Sequence, residues 1–222
     1  NDANCAALAE GLLGAAGGVR YSVTVTLGTG IGGGVIIDHN IYSGFNNAGA
    51  ELGHMVIAAG GKLCTCGRKG CWEAYASARG LIEAAQAAAE KAPASLLFKL
   101  VDGDLSKITA RTPFDAAQAG DQVAAAVVDE YLEYLAVGIG NIINIFQPEV
   151  IVLGGGVSKQ GMALLTPLEE KVMGEHYGLE GVAPAKLKLA VLGNEAGIVG
   201  AALLGFAPEQ RALVSLFGPE RE

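Results

Sequence analysis

Aromatic side chains are scarce in this chain: they make up 6% of its 222 residues, and only one is tryptophan. A core poor in rings has to be filled by small and aliphatic groups. Alanine and 33 glycines supply them, a composition suited to closely packed helices and sheets. Basic residues are also few, 15 against 23 acidic ones, and they form no cluster. The formal net charge of −8 argues against nucleic acid or an anionic membrane as a partner of this segment, because both require grouped Lys and Arg. No apolar run is long enough to cross a bilayer, and no signal peptide precedes the folded pattern. The four cysteines are too unevenly spread for a disulfide framework, since three crowd together at Cys64, Cys66 and Cys71. A reducing, cytoplasmic setting is expected.

What is present is a large apolar fraction, 51%, enough for a substantial core without covalent staples. Residues 21–28 alternate Val23, Val25 and Leu27 with Ser22, Thr24 and Thr26, the period of a strand. Glycines break it, and VIIDHNIYSG follows with Asp38-His39-Asn40 as the turn of a hairpin, so three antiparallel strands are predicted between about 21 and 43. From Cys71, CWEAYASARGLIEAAQAAAEKA predicts one helix, and residues 121–146 predict a longer one with Val127, Tyr131, Leu135, Ile139 and Ile142 at helical spacing. PEVIVLGGG predicts a strand ending on glycines, followed by a helix near 161–173, a strand at 187–192 and a helix in EAGIVGAALLG. Residues 1–16 are predicted helical from Ala3, and a short surface helix is predicted from Pro208. The order implies a mixed sheet with helices on its faces, an α/β layout of the RNase-H-like kind.

His54, Cys64, Cys66 and Cys71 offer one imidazole and three thiolates, the donor set of a closed tetrahedral zinc site. Glycines 60, 61, 67 and 70 permit the tight loops such a site needs. The alternative is that these cysteines are small buried apolar residues. GTGIGG at 28–33 fits G-x-G-x-x-G, yet a strand rather than a helix leads out of it, which excludes a dinucleotide fold, and no P-loop lysine accompanies it. A glycine hairpin of this kind can turn backbone N–H groups toward an anion, or be an ordinary turn.

ELGHMVIAAGGKLCTCGRKGCWEAYAS resembles the signature of the ROK family, Glu-x-Gly-His followed by Cys-x-Cys-Gly-x-x-Gly-Cys-x-Glu. NDANCAALAE at 1–10, the loop at 28–34, LGGGVS at 153–158 and AGIVGAALLG at 196–205 also match, in the expected order. The resemblance implies the carboxyl-terminal lobe of an actin-like ATPase fold, with residues 1–20 an inter-lobe helix and junction, 21–222 the lobe and 54–71 its zinc loop. It implies a glucokinase-like kinase that phosphorylates a hexose from ATP with Mg2+. Asp2 is then the general base, and Asn1, Glu51, His54 and Glu73 bind the sugar. Gly28, Thr29 and Gly30 face phosphate, and Gly154, Gly155 and Gly156 face the adenosine side. His54, Cys64, Cys66 and Cys71 hold Zn2+. Without the resemblance, Asn1-Asp2 is only a helix cap or turn, and the two glutamates are surface acids.

The sequence begins at Asn1 rather than Met and has no first phosphate loop of the Asp-x-Gly-Gly-Thr kind. The expectation is therefore a lobe from which upstream residues are missing, inactive by itself, from a parent that forms dimers or tetramers. A sugar-sensing ROK repressor is the alternative parent.

Overall fold

The computed structural model describes residues 1–175, 177–178 and 183–206. Asn1 starts the first helix, α1 (Asp2–Leu13), because its side-chain oxygen accepts hydrogen bonds from the backbone N–H groups of Ala3 at 2.9 Å and Asn4 at 3.3 Å. The alternation at 21–28 becomes β1 (Ser22–Leu27), followed by β2 (Ile31–Ile37) and β3 (Asn40–Tyr42). Asp38 and His39 both take positive φ, 50° and 63°, as a two-residue hairpin turn requires. The expected three antiparallel strands are present. β4 (Val150–Gly154) and β5 (Lys186–Leu189) complete a mixed sheet of order β3-β2-β1-β4-β5, with β1, β4 and β5 parallel.

Both faces of this sheet are covered. Val23, Val25 and Leu27 join the main core with α6 (Gln122–Phe146), while Ser22 and Thr24, on the other face, are buried too. α1 reaches that second face because β2 carries glycines there: a Cβ at Gly34 would overlap the Ala7 side chain and the Ala3 carbonyl oxygen. On the opposite face of β2, Gly33 makes room for Leu52.

α6 starts at Asp121, whose carboxylate accepts the Ala124 N–H at 2.8 Å, and ends at Gln147 in the left-handed region. Its middle supports the loop at 54–72. Trp72 has no exposed surface, packs onto Gly138 and donates its indole N–H to the Tyr134 carbonyl at 2.9 Å.

Two expectations need correction. The helix predicted from Cys71 is two helices, α2 (Glu73–Ala76) and α3 (Ala78–Lys91), with Ser77 extended between them at ψ 166°. Ser77 breaks the run because its hydroxyl caps the Gly80 N–H at 3.1 Å while the Ala78 N–H turns away to the Gly28 carbonyl at 2.8 Å. β5 also stops earlier than predicted. The N–H groups of Val191 and Leu192 turn to the buried Glu10 carboxylate, at 3.4 and 2.9 Å, instead of extending the strand. The short helix α4 (Leu96–Lys99) packs on α3, α5 (Thr112–Gln118) packs on α6, and α7 (Met162–Glu175) lies on α6. α8 (Ala196–Leu204) packs on α1. The helix predicted from Pro208 lies outside the described residues.

Gly138→Ala tests the support of the loop. A helical Gly-to-Ala change gains about 1 kcal/mol of propensity, but this Cβ would lie within the Trp72 indole. Overpacking of a fixed ring outweighs that gain, so a net loss of about 1–3 kcal/mol is expected as a lower urea midpoint.

Candidate functional site

The glycine turn between β1 and β2 is where the candidate residues gather. Gly28 donates its N–H to the Gly30 carbonyl at 3.0 Å, which closes the turn with Thr29 exposed at its tip. Gly155 stands against the Leu27 backbone with φ 85°, a close approach that no side chain would permit. Gly156 is exposed and opens onto free space, and the Ser158 hydroxyl ties the bend to the Gly155 carbonyl at 2.8 Å. The two glycine segments therefore lie side by side at the carboxyl ends of two parallel strands, where open α/β sheets place their ligands.

α1 brings its first turn to the same end of the sheet, since Ala3 lies over Gly32. Asn1 and Asp2 are exposed there, and Asp2 Oδ1 accepts the Ala3 N–H at 2.8 Å. Glu51 is exposed and precedes the single 3₁₀ turn Leu52–His54, in which the His54 N–H bonds to the Glu51 carbonyl at 3.1 Å. Gly53 in that turn packs on the Ile31 backbone. No hydrogen bond joins the Asp2 side chain to Glu51, His54 or Glu73 among the described residues; shared packing on β2 brings them together.

The cysteine loop is folded back on itself. Cys64 donates its N–H to the Arg68 carbonyl at 2.8 Å, the Gly67 N–H reaches the Cys64 carbonyl at 2.9 Å, and Gly67 and Gly70 take φ 85° and 84°. The His54, Cys64, Cys66 and Cys71 ligand atoms all lie within 4.8 Å of one another. Cys64 Sγ is 3.7 Å from His54 Nδ1, and Cys66 Sγ is 3.7 Å from Cys71 Sγ. Thiolates at about 2.3 Å from a shared tetrahedral metal would be about 3.8 Å apart, close to the Cys66–Cys71 separation, so the donor set suits such an ion. A disulfide would need a sulfur separation of about 2.05 Å, and all four cysteines are free. His54 directs Nδ1 to this cluster, which leaves Nε2 for another partner. Burial, then hydrogen bonding with Cys66 and Cys64, pushes the Cys71 thiol up to about 12. The Arg68 backbone N–H leads in lowering that of the exposed Cys66.

Glu73 lies between the cysteine loop and the glycine turn. Its side chain is buried, Oε2 accepts the Ile31 N–H at 3.0 Å, and Oε1 accepts the Thr65 hydroxyl at 2.9 Å, with Arg79 Nη2 at 3.4 Å. A side chain at Gly30 would collide with this carboxylate. Thr65, Arg79 and the Ala78 N–H belong to the site without having been legible in the sequence. Thr65 is an ordinary residue between two cysteines, and only the folded loop aims its hydroxyl.

This is an α/β lobe of the actin-like ATPase fold, with paired glycine bends at its strand ends and a metal-capable loop beside them. Residues 1–207 match the ROK family, and the chain belongs to it. It is 43% identical over 203 residues to a glucokinase of Halalkalibacterium halodurans, covering 90% of this chain and 60% of that protein. It superposes on a ROK family glucokinase from Streptomyces griseus, solved with glucose and AMPPNP, with a TM-score of 0.85 at 38% identity. That match covers 92% of this chain and 66% of the other. A ROK family transcriptional regulator, a homologue of the E. coli MLC protein, matches at 30% identity and a TM-score of 0.79, over 98% of this chain and 52% of its own. The chain thus spans about 60% of the length of the first of these relatives.

Metal uptake here requires thiols to lose protons, Cys71 above all. Affinity therefore falls as pH falls, by up to about tenfold per unit for each proton released. Co2+ titrations at pH 6 and pH 8, read by thiolate charge-transfer absorption, are expected to show the weaker binding at pH 6, and Cys71→Ala to weaken binding at both.

Proposed function

We propose that this chain serves the ATP-dependent phosphorylation of a hexose hydroxyl, as part of a glucokinase-like sugar kinase. The observation that carries the reading is the convergence at the β1–β2 turn. The α1 N-terminus with Asp2, the turn bearing Glu51 and His54, the buried Glu73 and both glycine bends meet on one end of the sheet. The likeness to glucokinases of 38–43% identity supports it.

In this reading Asn1, Glu51, His54 and Glu73 hold the sugar, and Asp2 accepts the proton of the attacking hydroxyl. The hydroxyl oxygen forms its bond to the terminal phosphorus of ATP as the bond to the ADP oxygen breaks. Gly28, Thr29 and Gly30 offer backbone N–H groups and a hydroxyl to the phosphates, which arrive with Mg2+, while Gly154, Gly155 and Gly156 leave bare backbone for the adenosine side. Zn2+ on His54, Cys64, Cys66 and Cys71 supplies a fixed cross-link that presents His54 Nε2. No helix among the described residues is long and apolar enough to cross a membrane. A cytoplasmic homo-oligomer, dimer or tetramer, completes the proposal.

The likeness to a ROK transcriptional regulator favours a second reading, a sugar sensor that binds without turnover. Asp2 separates the two, because sensing needs no base. In the product of the complete reading frame, Asp2→Asn is expected to lower kcat by about 10²-fold or more while the hexose KM changes little. Hexose binding in the unmodified protein with no ATP-dependent phosphorylation would establish the sensor instead.

A further inference from the structure

We propose that Thr65 is a positioning residue: by fixing the Glu73 carboxylate, its hydroxyl couples the metal-binding turn to the glycine turn Gly28–Gly30. The metal enters through the zinc reading above; the rest stands on geometry. Thr65 sits between Cys64 and Cys66 in the turn closed by the Gly67 N–H and the Cys64 carbonyl. It is an exposed residue, and exposed threonine hydroxyls ordinarily bond to water. This one instead donates to Glu73 Oε1 at 2.9 Å.

The two oxygens of Glu73 serve two different segments. Oε1 faces the cysteine turn, with Cys64 Sγ at 3.8 Å, and Oε2 receives the Ile31 N–H at 3.0 Å. Ile31 is the first residue of β2 and follows Gly30, over which the carboxylate lies. A carboxylate is planar and rigid, so orienting one oxygen orients the other. Arg79 also reaches Oε1, but at 3.4 Å and from a side chain 35% exposed, a weaker restraint than the hydroxyl. A second link, the Ala78 N–H to the Gly28 carbonyl at 2.8 Å, holds the other end of the turn independently of Thr65. Occupancy of the cysteine site, which fixes Cys64 and Cys66, therefore fixes Thr65, then Glu73, then the start of β2. The glycine turn responds to metal at this end and not at the other.

Amide hydrogen exchange on the 222-residue chain tests the coupling without any kinase assay. Zinc-loaded Thr65→Val is expected to bind one equivalent of zinc and to leave Leu135 and Ile139 in α6 unchanged, while Ile31 exchanges about tenfold faster than in the parent. Thr65→Ser, which keeps the hydroxyl, restores slow exchange. Chelation of zinc from the parent chain speeds Ile31, and this response is lost in Thr65→Val. If chelation unfolds the chain, Leu135 and Ile139 lose protection as well, and the zinc-loaded comparison of the Val and Ser variants decides. Equal Ile31 exchange in the parent and Thr65→Val, or a parent chain that takes up no zinc, overturns the proposal. Absence of sugar phosphorylation by the product of the complete reading frame, alongside the expected exchange pattern, would overturn the kinase reading alone.

Discussion

Cys71, Trp72 and Glu73 are consecutive, and the middle one fixes the other two. The Trp72 indole is wholly buried against Gly138, with its only polar atom bonded to the Tyr134 carbonyl. A buried tryptophan contributes on the order of 3–5 kcal/mol by the cost of truncating it, which far exceeds what a surface loop gains from its own few hydrogen bonds. The cysteine loop has two isolated β-bridges, Val56 to Cys71 and Leu63 to Lys69, and little other regular structure. Its position relative to the sheet is therefore set from the core, through Trp72. Because backbone geometry leaves little freedom to the neighbours of a fixed residue, Cys71 enters the ligand cluster and Glu73 enters the space above Gly30 as consequences of one packing interaction.

The other half of the site is built by close approach instead of by anchoring. β2 begins Ile31-Gly32-Gly33-Gly34, and its two faces admit different elements: Ala3 and Ala7 of α1 on one, Leu52 on the other. With a side chain on Gly32 or Gly34 α1 would stand farther from the sheet, and Asp2 with it, while one on Gly33 would displace Leu52. The glycines of the strand and those of the turn thus have separate purposes. Gly28 and Gly30 shape a bend, while Gly33 and Gly34 determine how near two site-bearing elements can come.

That division explains why the run was only partly legible. In the sequence, G-T-G-I-G-G-G reads as one loop, since one-dimensional pattern cannot tell a glycine that bends from a glycine that thins a strand. The alternation of Ser22, Thr24 and Thr26 with Val23, Val25 and Leu27 identified β1 correctly. Nothing in it showed that α1 covers the hydroxyl face, where Ser22 Oγ and Thr24 Oγ1 are buried without a partner among the described residues. The long helix 121–146 and the Asp38-His39 turn were legible because their signals are local: apolar spacing in one, turn-forming residues in the other. The break at Ser77 was not, because an alanine-rich run has high helix propensity throughout. What interrupts it is a contact with Gly28, distant in sequence. The cysteine cluster was legible from spacing alone, whereas the tie from Glu73 to Thr65 and Ile31 exists only once two loops are folded against each other.

The arrangement also accounts for how one scaffold can resemble both a glucokinase and a transcriptional regulator. On the proposed reading, three of the four sugar-holding residues, Glu51, His54 and Glu73, belong to the segment anchored by Trp72 and the metal loop, while the fourth, Asn1, caps α1. The proposed base belongs to α1, which packs on α8, β2 and β1. The Asp2 side chain shares no hydrogen bond with Glu51, His54 or Glu73 in the described structure, and both segments pack on β2. Substitution of Asp2 would therefore leave the sugar-holding segment packed as before, since an exposed side chain at a helix start supports nothing on the far face of the sheet. Loss of the cysteine loop would instead disturb Glu73 and, through it, the start of β2. On that reading most of the sugar-holding side chains are embedded in the core-anchored segment, whereas the proposed base is a single exposed residue.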